Sequence, residues 1–139
     1  RSSTPPRSDA DTWRKGISDT CARGRILIEV TTETRPDQPG SGLSVDRLRH
    51  IHDAIDSLIS AFRTAEAQAP PGFDLLTLKE ATSHAYGLAI AVQNDRHLRL
   101  ASTAPNSSAL RASGEQLARE RTALDRALSE LSSIVAAHP

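Results

Sequence analysis

Leu110, Leu117, Leu124 and Leu131 stand seven residues apart along the last thirty residues of this chain. A seven-residue apolar repeat covers slightly less than two helical turns. It lays one narrow stripe along a helix, which must bury that stripe against other helices. The alternate positions of the repeat hold Gly114, Arg121, Leu128 and Val135. Glycine and arginine at two of these four places spoil a two-chain zipper, so the stripe reads as one helix's share of a core within the chain. The same pattern points Arg121 inward.

Upstream, three further helices of similar length can be traced. From Ser8 to Thr34 a stripe runs through Trp13, Ile17, Cys21, Gly24, Ile28 and Thr31, with Asp9 and Asp11 favoured by the helix dipole in the first turn. Arg25 to Thr34 is rich in β-branched residues and competes as a strand; helix is preferred because a lone strand has no partner for its edges. After the turn-rich Arg35–Gly42, Ser44 is a natural N-cap, Asp46 follows in the first turn, and Leu43 can staple onto Leu48. The stripe Leu48, Ile51, Ile55, Leu58, Phe62 and Ala65 follows, and Ala69-Pro70-Pro71-Gly72 stops the helix. The third helix starts at Asp74 or Thr77, with Thr77 and Glu80 spaced as a capping box. Its inward face reads Leu78, Ala81, Ala85, Leu88 and Val92, with Ala89 beside it and Gly87 on the flank, small enough for close helix approach. Asn94 and Asp95 mark a candidate kink. Ala104-Pro105-Asn106 makes the last connection, with Asn106 or Ser107 as the cap that follows.

The helices are therefore expected at about 9–34, 44–68, 74–100 and 107–137, after a flexible lead-in at 1–7 (RSSTPPR). Similar lengths and short connections predict an all-α fold, an antiparallel up-down-up-down four-helix bundle forming a single domain over 8–139.

Composition narrows the function classes. Trp13, Phe62, Phe73 and Tyr86 are the only aromatics and Met is absent, so the core must be Leu, Ile, Val and Ala. Seventeen basic and seventeen acidic residues are interspersed, which weighs against a nucleic-acid surface. No apolar run approaches the roughly 18 residues of a membrane span. The lone Cys21 excludes an internal disulfide and a thiolate metal cluster, and cytoplasmic residence is expected. The chain begins at Arg1 without Met, which leaves an upstream segment, a lost targeting sequence included, as an open alternative. Arginine outnumbers lysine heavily, with only Lys15 and Lys79, and alanine is abundant, a composition that suits a GC-rich genome.

Few constellations could carry chemistry. His52 and Asp56, like Glu80 and His84, stand four apart on one helical face, but they supply only fragments of a bundle metal set. No metal or cofactor is expected, and no catalytic residue can be named. Cys21 lies on an apolar stripe and reads as a small buried hydrophobe. The serines lack a nucleophile-elbow or Ser-x-x-Lys context, and the glycines lack a phosphate-loop sequence. Arg121 is the exception: a buried guanidinium needs a carboxylate, for which Glu120, Asp125, Asp53 and Asp56 are candidates. Arg121, His84 and Asp56 are the candidate pocket or specificity residues.

Val45-Asp-Arg-Leu-Arg-His-Ile-His-Asp-Ala-Ile-Asp-Ser-Leu-Ile59, the Ala-rich third helix and Gln116-Leu-Ala-Arg-Glu-Arg-Thr-Ala-Leu124 together resemble an uncharacterised actinobacterial family of small all-helical proteins. That family is sometimes annotated with natural-product biosynthesis, and the resemblance spans about residues 43–130. It implies a genomic context and no defined activity. The residues themselves favour a non-catalytic helical interaction or scaffold domain whose partner is another protein or a second copy. The alternative is a small-molecule binding protein or cofactor-free enzyme with a pocket between its helices.

Overall fold

The computed structural model describes residues 6–31, 44–101 and 108–137. Within them the chain forms four α-helices and no strand: α1 (Pro6–Thr31), α2 (Val45–Ala67), α3 (Leu76–Ala101) and α4 (Ser108–Ala137). Each helix packs on its neighbours in sequence and α1 closes on α4, with no diagonal pair in backbone contact among the described residues. This is the expected four-helix bundle. α3 packs most closely on both of its neighbours, and α1 is the more loosely held.

The helix ends follow local chemistry. α1 begins at Pro6, inside the stretch expected as a lead-in, because proline at the first helical position loses no hydrogen bond and has its φ preset. The β-branched run after Arg25 is helical through Thr31. Ser44 caps α2, its hydroxyl accepting from the Arg47 amide at 3.1 Å. The Thr77–Glu80 capping box does not form: Thr77 is buried within the first turn, and Asp74 Oδ1 accepts from the Leu76 amide at 2.9 Å instead. The expected Leu43 staple, the last residues to Thr34 and the caps at Asn106 and Ser107 lie outside the described residues.

All four heptad leucines of α4 are buried, as are Leu128 and Val135. The α2 stripe from Leu48 to Phe62 and the inward face of α3 are buried opposite them, so the core is aliphatic almost throughout. Aromatic packing is confined to one end. Phe73 N–H donates to Pro70 O at 3.3 Å across a turn whose third residue, Gly72, has φ +85°. That conformation favours glycine, and proline before it presets the turn. The turn swings Phe73 back onto Trp13, with ring centroids 4.6 Å apart at 71°. Trp13 Nε1 donates at 2.7 Å to Ala65 O, near the end of α2, which also accepts from the Gln68 amide at 3.2 Å. One turn and one indole thus pin α1, α2 and the α2–α3 connection together.

A buried polar contact joins α3 to α4. Asp95 has no exposed surface; its Oδ2 accepts from Arg99 Nε and its Oδ1 from Ser113 Oγ, each at 2.8 Å. The candidate kink at this point is absent, and α3 runs unbroken to Ala101.

Two glycines of α1 differ sharply in their surroundings. A Cβ at Gly24 would lie 2.8 Å from Leu128 Cδ1 and 3.5 Å from Leu58 Cδ2, whereas a Cβ at Gly16 meets nothing within 4 Å. Gly16→Ala is expected to stabilise the fold by roughly 0.5–1 kcal/mol through helix propensity. Gly24→Ala is expected to destabilise it by about 1 kcal/mol net, because overpacking a filled core outweighs the same gain. Urea unfolding followed by Trp13 fluorescence checks both, and a stabilising Gly24→Ala would contradict the close approach.

Candidate functional site

Arg121 projects from α4 to the end of α1, where its Nη1 donates to the carbonyl oxygen of Thr31, the last residue of that helix, at 3.2 Å. The expected carboxylate partner is replaced by a helix C-terminus. The last carbonyls of a helix lack partners and carry its negative dipole end, and α1 has no basic residue in its own last turn. Burial pulls the Arg121 guanidinium down from its usual range, yet it remains a cation. Among the described residues no carboxylate pairs with it: Glu120 leans across to α3 and covers Gly87, and Asp56 faces His52 at 3.5 Å on the outside of α2.

His84 is half-buried on α3 and makes no ion pair with Glu80. No hydrogen bond or ion pair links any two of Arg121, His84 and Asp56. Nor do they line any of three grooves formed by the described residues. One groove of about 580 Å³ lies between α1 and α2, with Trp13, Gly16 and Thr20 facing Ala61 and Thr64. A second, of about 440 Å³, lies between the same helices beside Ile26, Val30 and His50. A third, of about 590 Å³ between α3 and α4, carries Glu80, Arg126 and Glu130. All three are open to solvent, and none gathers a nucleophile, a base and an oxyanion donor in the way a catalytic site requires.

His52, Asp53 and Asp56 bring one nitrogen and two carboxylate oxygens within 4.8 Å of one another, the histidine half-buried and the two aspartates exposed. One half-buried histidine and two exposed carboxylates on a single helix leave a metal ion largely to water. Cys21 is buried; desolvation pushes its thiol up from its ordinary value, while a hydrogen bond with Ser132 and the charge of Arg25 pull less strongly the other way. It packs as a neutral small side chain rather than as a thiolate nucleophile.

The feature absent from the sequence reading is the outside of α3. Leu76, Tyr86, Ile90 and Leu100 are 60%, 41%, 56% and 59% exposed, and they make up all but one of the large exposed apolar side chains among the described residues. They fall on one face of α3, opposite Ala81, Ala85, Leu88 and Val92. α2 flanks this face with Arg63, its guanidinium 5.8 Å from the Tyr86 ring centroid, and with Glu66, 4.0 Å from Lys79 Nζ. The available signal was that α3 is the least amphipathic of the four helices, apolar on two sides rather than one. None of the described helices is long and apolar enough to cross a membrane. No family model, curated protein or solved structure matches the chain.

Two measurements check these placements. Arg121→Ala is expected to lower stability by about 1–2 kcal/mol, the loss of a charged hydrogen bond at a helix end, as a fall in the melting temperature by far-UV circular dichroism. An unchanged melting temperature would remove its capping role. The raised Cys21 thiol favours the folded state below the unfolded thiol's pKa of about 8.5, and that contribution fades as pH rises through the folded value. The stability gap between wild type and Cys21→Ala is therefore expected to narrow above about pH 8.5, and a constant gap would contradict it.

Proposed function

We propose that this chain is a non-catalytic helical interaction domain that works through the outer face of α3. The observation that carries the reading is the row of four large apolar side chains on a helix whose opposite face already fills the core. Isolated apolar side chains on a surface need no explanation; a row of them along one helix marks a contact face. The polar flanks from Arg63 and Glu66, on α2, fit the rim of such a face.

A small-molecule or catalytic reading has less support, because the grooves are open and the titratable groups do not converge in them. The partner proposed is a protein rather than a nucleic acid, given the interspersed charge. Cytoplasmic residence and the actinobacterial resemblance belong to the same proposal, and neither names a partner.

A photo-crosslinking amino acid placed at Ile90 in the native cell tests the reading, with the same probe at Ile26 as the control. Ile26 is as exposed as Ile90 but is the one large exposed apolar side chain of α1 among the described residues. A discrete protein adduct from position 90 and none from position 26 is the expected result. No adduct from position 90, or equal labelling from both, would overturn the assignment of the face.

A further inference from the structure

We propose that the outer face of α3 docks against the same face of a second copy of this chain, as an antiparallel, two-fold symmetric pair in one register centred on Leu88. The proposal rests on the interaction reading above and adds the identity of the partner.

Leu76, Lys79, Ser83, Tyr86, Ile90, Gln93, His97 and Leu100 alternate three and four residues apart along α3, and all eight are exposed. They form a complete heptad seam about 36 Å long at 1.5 Å per residue, lying on the outside of the bundle. Leu88 has no exposed surface and points the opposite way. In an antiparallel pair each position meets the one equidistant from the two-fold axis. Centred on Leu88, Leu76 meets Leu100 of the second copy and Tyr86 meets its Ile90, while Lys79 meets His97 and Ser83 meets Gln93. Every apolar residue finds an apolar partner and every polar residue a polar one.

Neighbouring registers lose this match. A slide of one heptad in one direction sets Leu100 against Ser83, Tyr86 against His97 and Ile90 against Gln93. A slide in the other direction sets Leu76 against Gln93, Ile90 against Lys79 and Tyr86 against Ser83. A parallel in-register pair restores the apolar matches but places Lys79 against Lys79, two like charges in a seam. The antiparallel arrangement centred on Leu88 avoids both faults, and its two polar pairs set the register at some cost in affinity.

The size is adequate. Four side chains, between 41% and 60% exposed, offer on the order of 100 Å² apiece, or about 400 Å² per copy. The polar seam residues and the flanking Arg63 and Glu66 bring this toward the roughly 800 Å² per partner of a standard interface.

Sedimentation of the full chain tests the pairing, and cysteine cross-linking tests the register. Wild type is expected to sediment as a dimer. Ile90→Glu, a change at an exposed site, is expected to shift it to monomer with its melting curve retained, while Ile26→Glu stays dimeric. Ser83→Cys and Gln93→Cys chains, with buried Cys21 left in place, are expected to cross-link when mixed and not when oxidised separately. Should Ile90→Glu fail to fold, the cross-linking decides alone. A monomer up to about 1 mM, or cross-linked homodimers from either single variant, would overturn the proposal. If wild type is monomeric while the photo-probe at Ile90 captures a different protein, self-pairing fails and the interaction reading stands. If the probe captures nothing, both fail.

Discussion

A carboxylate with no exposed surface sits between α3 and α4, and the outside of α3 follows from where that carboxylate can be tolerated. Asp95 lies one heptad beyond Leu88 on the same inward face, where Ser113 and Arg99 hold its two oxygens. A buried charge stripped of such partners costs several kcal/mol. Apolar side chains stand on both faces of α3, so apolar burial constrains its rotation less than it does for the other helices. Four of the nine buried residues of α3 are alanine (Ala81, Ala85, Ala89 and Ala91), beside Leu78, Leu88 and Val92, while the larger Tyr86, Ile90 and Leu100 stand outside. Turning α3 by one residue position, about 100°, would carry bigger apolar groups inward but separate Asp95 from Ser113. The polar contact therefore selects which face the bundle keeps and which it displays.

The ends of the bundle are tied by a different device. Helices α1 and α2 each receive a side-chain donor near their C-terminal end from another helix: Arg121 at Thr31 O, and Trp13 at Ala65 O, which it shares with the Gln68 amide. Both donors also bring apolar surface, so capping and packing are achieved by one side chain. This explains how α1, the more loosely packed helix, is held in place. It also turns the most conspicuous charge in the leucine stripe into a structural tie. Function then has to be sought on a surface rather than in the interior.

The architecture was legible in the sequence because it depends on spacing. The α2 stripe, the α4 leucines and the alanines of α3 recur at helical intervals, and Ser44 announces its cap chemically. The partner of Arg121 was not legible, since a backbone carbonyl ninety residues away has no sequence signature. Asp95 resembled a kink point because an aspartate inside a helix reads as unfavourable until Ser113 and Arg99 are placed beside it. The outer seam of α3 escaped for a related reason. Once one apolar face of a helix has been assigned to the core, a second face is easily read as incidental, and only burial tells the two apart.

The claim on which the rest depends is that Asp95 and Ser113 act as a pair that fixes α3 against α4. A double-mutant cycle with Asp95→Ala, Ser113→Ala and the double variant, measured by chemical unfolding, tests it most directly. A coupling energy of at least about 1 kcal/mol is expected for a buried contact of this kind. Effects that add to within about 0.3 kcal/mol would contradict it and leave the orientation of α3 without its cause.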